Sequence, residues 1–504
     1  MTDLRLASQP LRGERYLLLG VLLASGLLRA LVLNARSLWF DEAFSVAVAR
    51  LPWRDIWSVV ARTDPHPPLY YLLLHFWLRV GDTPGAVRMF SLFFGLLTVA
   101  ATWLLGREVG GRVLAVISAM LIGAGALAIQ SSVEARMYPL LTFAAVASTW
   151  LLWRAAAEPA RRGRWAAYAV SLGVAFYIDY LAVLLVPAHL LYAARSRRGD
   201  SSPWPILVAV AGAVLLYAPW WSAIARQLAT GQATTVWKGA MPATAPLNMV
   251  ALSGFGGYLL GLGGYLLDDG RWAWRQLLLV LPFLVFAVFG AGSLPRPGAG
   301  RLLLLLWFIP ALLLVAASLL TGVFYAIPRL ASFVQPFFLI LLAQGIISLA
   351  GRARRPLTLA LLVTGVVVLN LTVLRLELAD ARYQPYDWAG AARRVQADWQ
   401  PGDQLLFYPQ TARVAFGYYF RTTGNGSVTL YAPPWTVEGT RAQYVEALPP
   451  MQVLSRGAHR LWLVTTEPTP PGSLEALVEV VGRTYRLLEA LDFRHVYVLL
   501  YEKR

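Results

Sequence analysis

Apolar runs separated by short arginine-bearing connections fill the first three quarters of the chain. Runs of roughly 14–21 residues, near the ~20 that cross a hydrocarbon layer as a helix, lie at 16–33, 86–105, 113–129, 138–153, 165–178, 180–194, 204–221, 277–290, 302–320, 330–350 and 357–374. Two more apolar stretches, 67–80 and 247–267, are decided by charge parity. The Arg-rich connections are Arg107/Arg112, Arg154/Arg161/Arg162/Arg164, Arg195/Arg197/Arg198, Arg296/Arg301 and Arg352/Arg354/Arg355. All fall on one side only if neither doubtful stretch crosses, and Lys/Arg mark the cytoplasmic side. Both stretches therefore read as helices lying in the outer interface. The pattern predicts about eleven spans, an amino terminus inside, and the region after Leu374 outside. Loops 34–85, 130–137, 223–276 and 321–329 then share the extracytoplasmic face.

From Arg375 the apolar density drops to that of a water-soluble domain. Residues 387–399 have helical spacing, with Trp388, Ala391, Ala392, Val395 and Trp399 on one face. Pro401-Gly402-Asp403 breaks it, strands follow at 404–408, 460–465 and 495–501, and a helix lies within 473–481. The expected fold is an all-α polytopic membrane protein with a small carboxyl-terminal α/β extracytoplasmic domain, divided as 1–374 and 375–504.

Composition narrows the class. Of 504 residues, 58% are hydrophobic and only 14% charged, which fits a polytopic membrane protein. The net charge of +17 sits in clusters between apolar runs, so it orients helices in a bilayer rather than binding nucleic acid. Lys238 and Lys503 are the only lysines, so nearly all of the positive charge is guanidinium, which suits phosphate recognition. With no cysteine, disulfides, thiolate metal sites and a thiol nucleophile are excluded. The run 16–33 lacks a small-residue cleavage site and reads as a retained span.

The candidate chemistry lies in the outer loops. Asp41 and Glu42 follow Trp39-Phe40, aromatics that hold them at headgroup depth. A carboxylate there can take a proton from an acceptor hydroxyl; Asp41 is assigned that role and Glu42 the orientation of a substrate or a cation. Asp64 and His66 stand in Asp64-Pro65-His66-Pro67-Pro68 at the head of an interfacial helix. Asp64 reads either as a cap of that helix or as a substrate contact, and His66 as an interfacial aromatic or a ligand to substrate or metal. The short second loop carries Glu134, Arg136 and Tyr138. Arg329 opens a span from the outer side against the positive-inside trend and so needs an anion, a lipid headgroup or a substrate phosphate. Arg88, near the start of the second span, is a similar candidate, and Asp179 reads as turn chemistry at the tip of a tight hairpin.

Phe40-Asp41-Glu42, Asp64-Pro65-His66-Pro67-Pro68-Leu69-Tyr70-Tyr71, Glu134-Ala135-Arg136-Met137-Tyr138 and the Arg329-Leu330 entry with downstream Pro336, taken in order, resemble the dolichyl-phosphate-mannose protein mannosyltransferase-like family of C-type membrane glycosyltransferases. The resemblance covers about residues 1–375. It implies a polyprenyl-phosphate-linked sugar donor, a lipid, glycan or protein acceptor, reaction on the extracytoplasmic face, and Asp41 as base. Two positions depart from the pattern: Asp179-Tyr180 stands where many relatives have His-Tyr, and Ser132-Val133-Glu134 where many have Ser-Gln-Glu. The expected reaction is an inverting single displacement, with the donor phosphate held near Arg329 and Arg136. A divalent Mg, Mn or Zn ion near Glu42, His66 or Glu134 is compatible with oxygen and imidazole ligands and is left open. The alternative from another class is a transporter or flippase of lipid-linked saccharides, which needs ionisable residues along a pathway at the bilayer midplane.

Overall fold

The computed structural model describes residues 12–195, 203–230, 273–321, 328–353, 356–379, 386–408, 411–420, 430–431, 459–466 and 473–504. The interfacial stretch expected at 247–267 and the Asn425-Gly426-Ser427 triplet lie outside these residues, as does most of the loop 223–276.

The first half of the chain folds as α1 (Arg12–Val32), α2 (Phe40–Ala49), α3 (Trp53–Thr63), α4 (Leu69–Trp77), α5 (Pro84–Gly110), α6 (Arg112–Ala124), α7 (Ala126–Ser132), α8 (Tyr138–Ala157), α9 (Arg162–Ile178), α10 (Leu185–Arg195), α11 (Trp204–Leu216) and α12 (Trp221–Ala229). The bundle is completed by α13 (Ala273–Ser293), α14 (Ala299–Thr321), α15 (Gln335–Ala353) and α16 (Pro356–Ala379). Three-residue-per-turn helices at Tyr180–Leu184 and Pro328–Val334 lead into α10 and α15. Among the described residues, six helices are long and apolar enough to cross a membrane, or up to eight if each of two bent pairs is one span. At nine residues, α4 is too short to cross.

Both bent pairs were expected as straight spans. Between α6 and α7 the chain turns by 61° at Gly125, whose backbone is extended. The amide of Ala126, freed by the break, donates to Asn370 Oδ1 at 3.1 Å, so the kink leaves no orphan donor there. Between α11 and α12 the axis bends by 42° at a short turn containing Pro219, which cannot continue the helical ladder.

Ion pairs tie the arginine-rich connections together at one end of the bundle. Arg107 meets Glu14 at 3.2 Å, Arg154 meets Glu108 at 3.7 Å and Arg164 meets Glu158 at 2.9 Å. Partly exposed pairs of this kind contribute only ~0–1 kcal/mol each. Their value here is geometric, because they place the start of α1, the ends of α5 and α8 and the start of α9 together. The segments carrying Asp41, Glu134 and Asp179 lie at the other ends of these helices, and Arg329, between α14 and α15, meets Asp41 there.

The carboxyl-terminal part contains α17 (Trp388–Asp398), β1 (Gln404–Tyr408), α18 (Ala412–Tyr419), β2 (Leu430–Tyr431), β3 (Arg460–Thr466), α19 (Ser473–Gly482), β4 (Tyr485–Phe493) and β5 (Val496–Lys503). The strand order is β2-β1-β3-β5-β4, with β1 parallel to β2 and β3 and the last three strands antiparallel. The β4–β5 turn is Arg494-His495, both at positive φ, the conformation that a tight hairpin demands. One sheet face, with Trp462, Val464, Val496 and Val498, is continuous with the core of the helical bundle. The other face packs Leu461 and Leu463 on Leu477 and Val481 of α19.

The sheet region touches the segment between α1 and α5 directly. Tyr419 Oη accepts the Leu38 amide at 2.6 Å, Tyr418 donates to the Asp82 carbonyl, and the Arg50 guanidinium lies 5.2 Å from the Tyr418 ring centre. The segment leading into α2 is thus held from above by α18.

Candidate active site

The first turn of α2 carries two carboxylates with different surroundings. Glu42 is the third residue of the helix and reaches back to accept the Trp39 amide at 3.2 Å, half of a capping box. Its oxygens also accept Arg88 Nε and Nη2, each at 2.7 Å, and the Ala135 amide at 2.9 Å. Arg88 spends its remaining donors on the carbonyls of Leu33 (2.9 Å), Arg36 (2.7 Å) and Ser37 (3.0 Å). All five guanidinium N–H groups are therefore used.

This corrects two expectations. Glu42 was to orient a substrate or cation and Arg88 to bind a phosphate, yet both are buried and each is fully occupied by the other and by backbone. Together they fasten α2, the segment 33–37, α5 and the second loop to one another.

Asp41, one residue earlier on the helix, points the other way. Its Oδ2 accepts Arg329 Nη1 at 3.2 Å and lies 4.0 Å from Arg136 Nε, with one fifth of the side chain exposed. Arg136 is buried and also donates to Ser45 Oγ at 3.3 Å, which fixes it against α2. Burial opposes the Arg136 charge, but Asp41, Tyr71, Tyr138 and Asp64 around it hold its proton well above the ordinary arginine range. The Arg329 guanidinium covers the Trp39 ring at 5.0 Å, and that of Arg136 lies 6.0 Å from the Tyr138 ring centre. Residues from three separated segments, Asp41, Arg136 with Tyr138, and Arg329, thus come together.

Glu134 faces the same charges. Burial, reinforced by Glu42 and Asp41 and partly offset by Arg329 and Arg36, pushes its carboxyl up to about 7. A carboxyl that binds its proton more tightly when folded loses stability as pH rises from its unfolded value of 4.5 toward 7. Glu134→Gln is therefore expected to flatten that part of the stability curve, measured as the unfolding temperature of purified wild type and variant across the same pH range. A wild-type curve that is already flat between these limits would contradict the assignment.

Asp64 and His66 form a second cluster beside the first. Asp64 Oδ1 accepts both the His66 amide, at 2.8 Å, and His66 Nδ1, while Oδ2 accepts the Tyr71 hydroxyl at 2.9 Å. Burial works against the Asp64 charge, yet His66, Arg136 and Tyr71 outweigh it and hold the carboxyl below its usual range. An ionised carboxylate can only accept, so Nδ1 of His66 carries the proton and Nε2 is the nitrogen left to meet a ligand. Of the two readings left open for Asp64, capping of the following helix is not observed. It closes the end of α3 and turns the chain onto His66, whereas α4 begins after Pro68.

Gln227, not picked out by sequence reasoning, completes this cluster together with Tyr180 and Asp179. Gln227 Nε2 donates to the Asp64 carbonyl at 2.9 Å and its Oε1 accepts the Tyr180 hydroxyl at 2.6 Å. Asp179 caps the helical turn Tyr180–Leu184 through the Leu181 amide at 2.9 Å, as a turn residue should. Its other oxygen is buried with no partner among the described residues, and burial, against the pull of His66, raises the carboxyl above its ordinary range.

A divalent ion finds little here to hold it. Glu42 and Asp64 have their oxygens filled by N–H and O–H donors, two guanidiniums flank Asp41, and no three His, Asp or Glu side chains among the described residues converge as a metal site. The site's positive charge is supplied by Arg136 and Arg329.

Residues 65–222 match the family model of dolichyl-phosphate-mannose-protein mannosyltransferase. No curated protein matches the chain in sequence. In structure it is similar to ArnT from Cupriavidus metallidurans in the apo state, with a TM-score of 0.58 over 97% of this chain and 98% of that one at 14% identity. For the same protein bound to undecaprenyl phosphate the TM-score is 0.59 with the same coverage at 13% identity. It is also similar to the arabinofuranosyltransferase AftD from Mycobacteria, with a TM-score of 0.50 over 99% of this chain and 40% of that one at 13% identity. The chain thus resembles the dolichyl-phosphate-mannose-protein mannosyltransferases over residues 65–222, and over nearly its whole length it has the fold of the C-type membrane glycosyltransferases.

Proposed function

We propose that this chain moves a sugar from a polyprenyl-phosphate carrier to an acceptor hydroxyl or amine at the extracytoplasmic membrane face, by an inverting single displacement with Asp41 as the base. The observation that carries this reading is the partly exposed Asp41 carboxylate set between two guanidiniums at one end of the bundle. The ArnT structure of the same fold that holds undecaprenyl phosphate supports a lipid phosphate as the carrier.

Asp41 shares Arg136 and Arg329 with the open side of the pocket, where a phosphate can engage the same guanidiniums. A phosphate entering there takes N–H donors from Arg136 and Arg329 and so frees Asp41 Oδ2 to accept the acceptor's proton. The acceptor oxygen or nitrogen then bonds to the anomeric carbon as the carbon–oxygen bond to phosphate breaks, and the proton passes to Asp41. The donor is a phosphodiester and the departing carrier a phosphomonoester. Negative charge therefore grows at the phosphate as the bond breaks, where Arg136 and Arg329 stabilise it. In this reading Glu134, His66 Nε2 and Tyr138 line the acceptor and sugar side, while Glu42 and Arg88 position the loop.

Orientation and domain roles follow the same reading. The ion-paired arginines at the opposite end support a cytoplasmic placement for that end and an outer placement for the site. Residues 375–504 then form an extracytoplasmic domain whose α18 braces the loop entering α2.

Reconstitution into liposomes with a radiolabelled polyprenyl-phosphate sugar tests the proposal. Label moved onto an acceptor is expected, with Arg329→Gln lowering kcat/KM by about 10–100-fold. Label that crosses the bilayer still attached to its lipid would instead identify a transporter.

A further inference from the structure

Beside the loops just described, the helices line a small cavity that the proposed reaction does not use. It is lined by Arg29 of α1, Gly95 and Thr98 of α5, Ser131 and Ser132 of α7, and Gln335 at the start of α15, with room for roughly one or two water-sized atoms. Arg29 is 1% exposed. Its Nη1 donates to the Ser25 and Gly123 carbonyls at 3.2 and 2.8 Å and to Ser25 Oγ, while Nε has no partner. Among the described residues no carboxylate lies within ion-pair distance of it. Gln335 Nε2, equally buried, is also without a partner.

The space is kept open by the chain. A Cβ on Gly95 would stand 2.2 Å from Ser132 Oγ and 3.3 Å from Arg29 Nε, so any larger residue would fill the gap beside the guanidinium. The hydroxyls of Thr98 and Ser132 donate to the carbonyls of Phe94 and Ala128. The donors left for an occupant are therefore Arg29 Nε, Gln335 Nε2 and the hydroxyl of Ser131.

We propose that this cavity is a binding site for a monatomic anion of chloride's size. A water molecule would answer the two orphan N–H groups but leave the guanidinium uncompensated where few polar groups screen it, which is costly. A phosphate or carboxylate is too large for the space. An anion in contact with Arg29 and Gln335 supplies the missing charge and links α1 to α15, whose lead-in carries Arg329.

The test uses the full chain, purified in detergent, with chloride replaced by gluconate at constant ionic strength. Raising chloride from about 1 mM to about 300 mM is expected to increase the unfolding temperature by about 3–6 °C, and Arg29→Gln to abolish that response. Crystals of the wild type soaked in bromide should show an anomalous peak between Arg29 and Gln335, a readout that stands even if the variant does not fold. Identical unfolding in both salts, or a bromide peak elsewhere with none in the cavity, would mean that only water sits there and would overturn the proposal.

Discussion

Asp41→Asn is expected to lower the rate of sugar transfer by about 10²–10⁴-fold, the range over which a positioned base acts. The substitution keeps the side chain's size and removes its ability to take a proton. It also removes the carboxylate in direct contact with Arg329 and nearest to Arg136, so the donor phosphate should bind as tightly as in the wild type or more tightly. Loss of turnover with retained donor binding is a signature that general destabilisation would not produce. Single-turnover kinetics beside equilibrium binding of a polyprenyl phosphate separate the two. Turnover near the wild-type rate would remove Asp41 from the role of base.

Arg88→Met is expected to have the largest effect on stability. It leaves the Glu42 carboxylate fully buried with only two amides for company, and breaking a buried ion pair on one side costs about 3–5 kcal/mol. The double variant Glu42→Leu/Arg88→Met should recover much of that loss, because the unpaired charge is then gone. Thermal unfolding of the single and double variants in detergent measures both. If the single variant unfolds like the wild type, the pair does not fasten the loop as described. Activity should fall in the single variant as well, since α2 carries Asp41 on the turn that Glu42 anchors.

The sequence made visible which loops matter but not which side chain of each is free. Asp41 and Arg329 stood out because a charge in an apolar chain needs a partner, and each proved to be the other's. Nothing local distinguished Asp41 from Glu42. The difference lies in Arg88, which is 46 residues away and meets Glu42 only after α5 packs against α2. Asp64, which read either as a cap or as a substrate contact, was left open for a similar reason. Its place before prolines fits a helix cap, yet Pro65 and Pro67 delay the next helix to Leu69 and the carboxylate turns to His66 and Tyr71 instead.

Elsewhere a signal was present and passed over. Arg29 is a lone cation inside the first apolar run, and a buried charge in a span is a functional candidate by default. The break at Gly125 could be suspected from Gly123-Ala124-Gly125, but the 61° bend depends on Asn370, from a distant helix, accepting the freed amide. In the carboxyl-terminal part, the strands at β1, β3 and β5 and the helices α17 and α19 were legible from their periodicity. The strand β4 was not. Its Arg-Leu-Leu-Glu-Ala-Leu run after Tyr485 is made of good helix formers, and it is a strand because it pairs with β5 from Tyr485 to Phe493, with one irregularity at Leu488. Likewise α18, which holds Leu38 through Tyr419, has a role that only the tertiary contact reveals.

A structure of the full chain with a bound polyprenyl phosphate would be the most direct measurement. The account predicts phosphate oxygens within about 3 Å of the Arg136 and Arg329 guanidiniums, with the Asp41 carboxylate turned from Arg329 toward the space where an acceptor would lie. A phosphate bound at the arginine-rich opposite end of the bundle, or out of reach of both guanidiniums while Asp41 keeps its contact with Arg329, would contradict it.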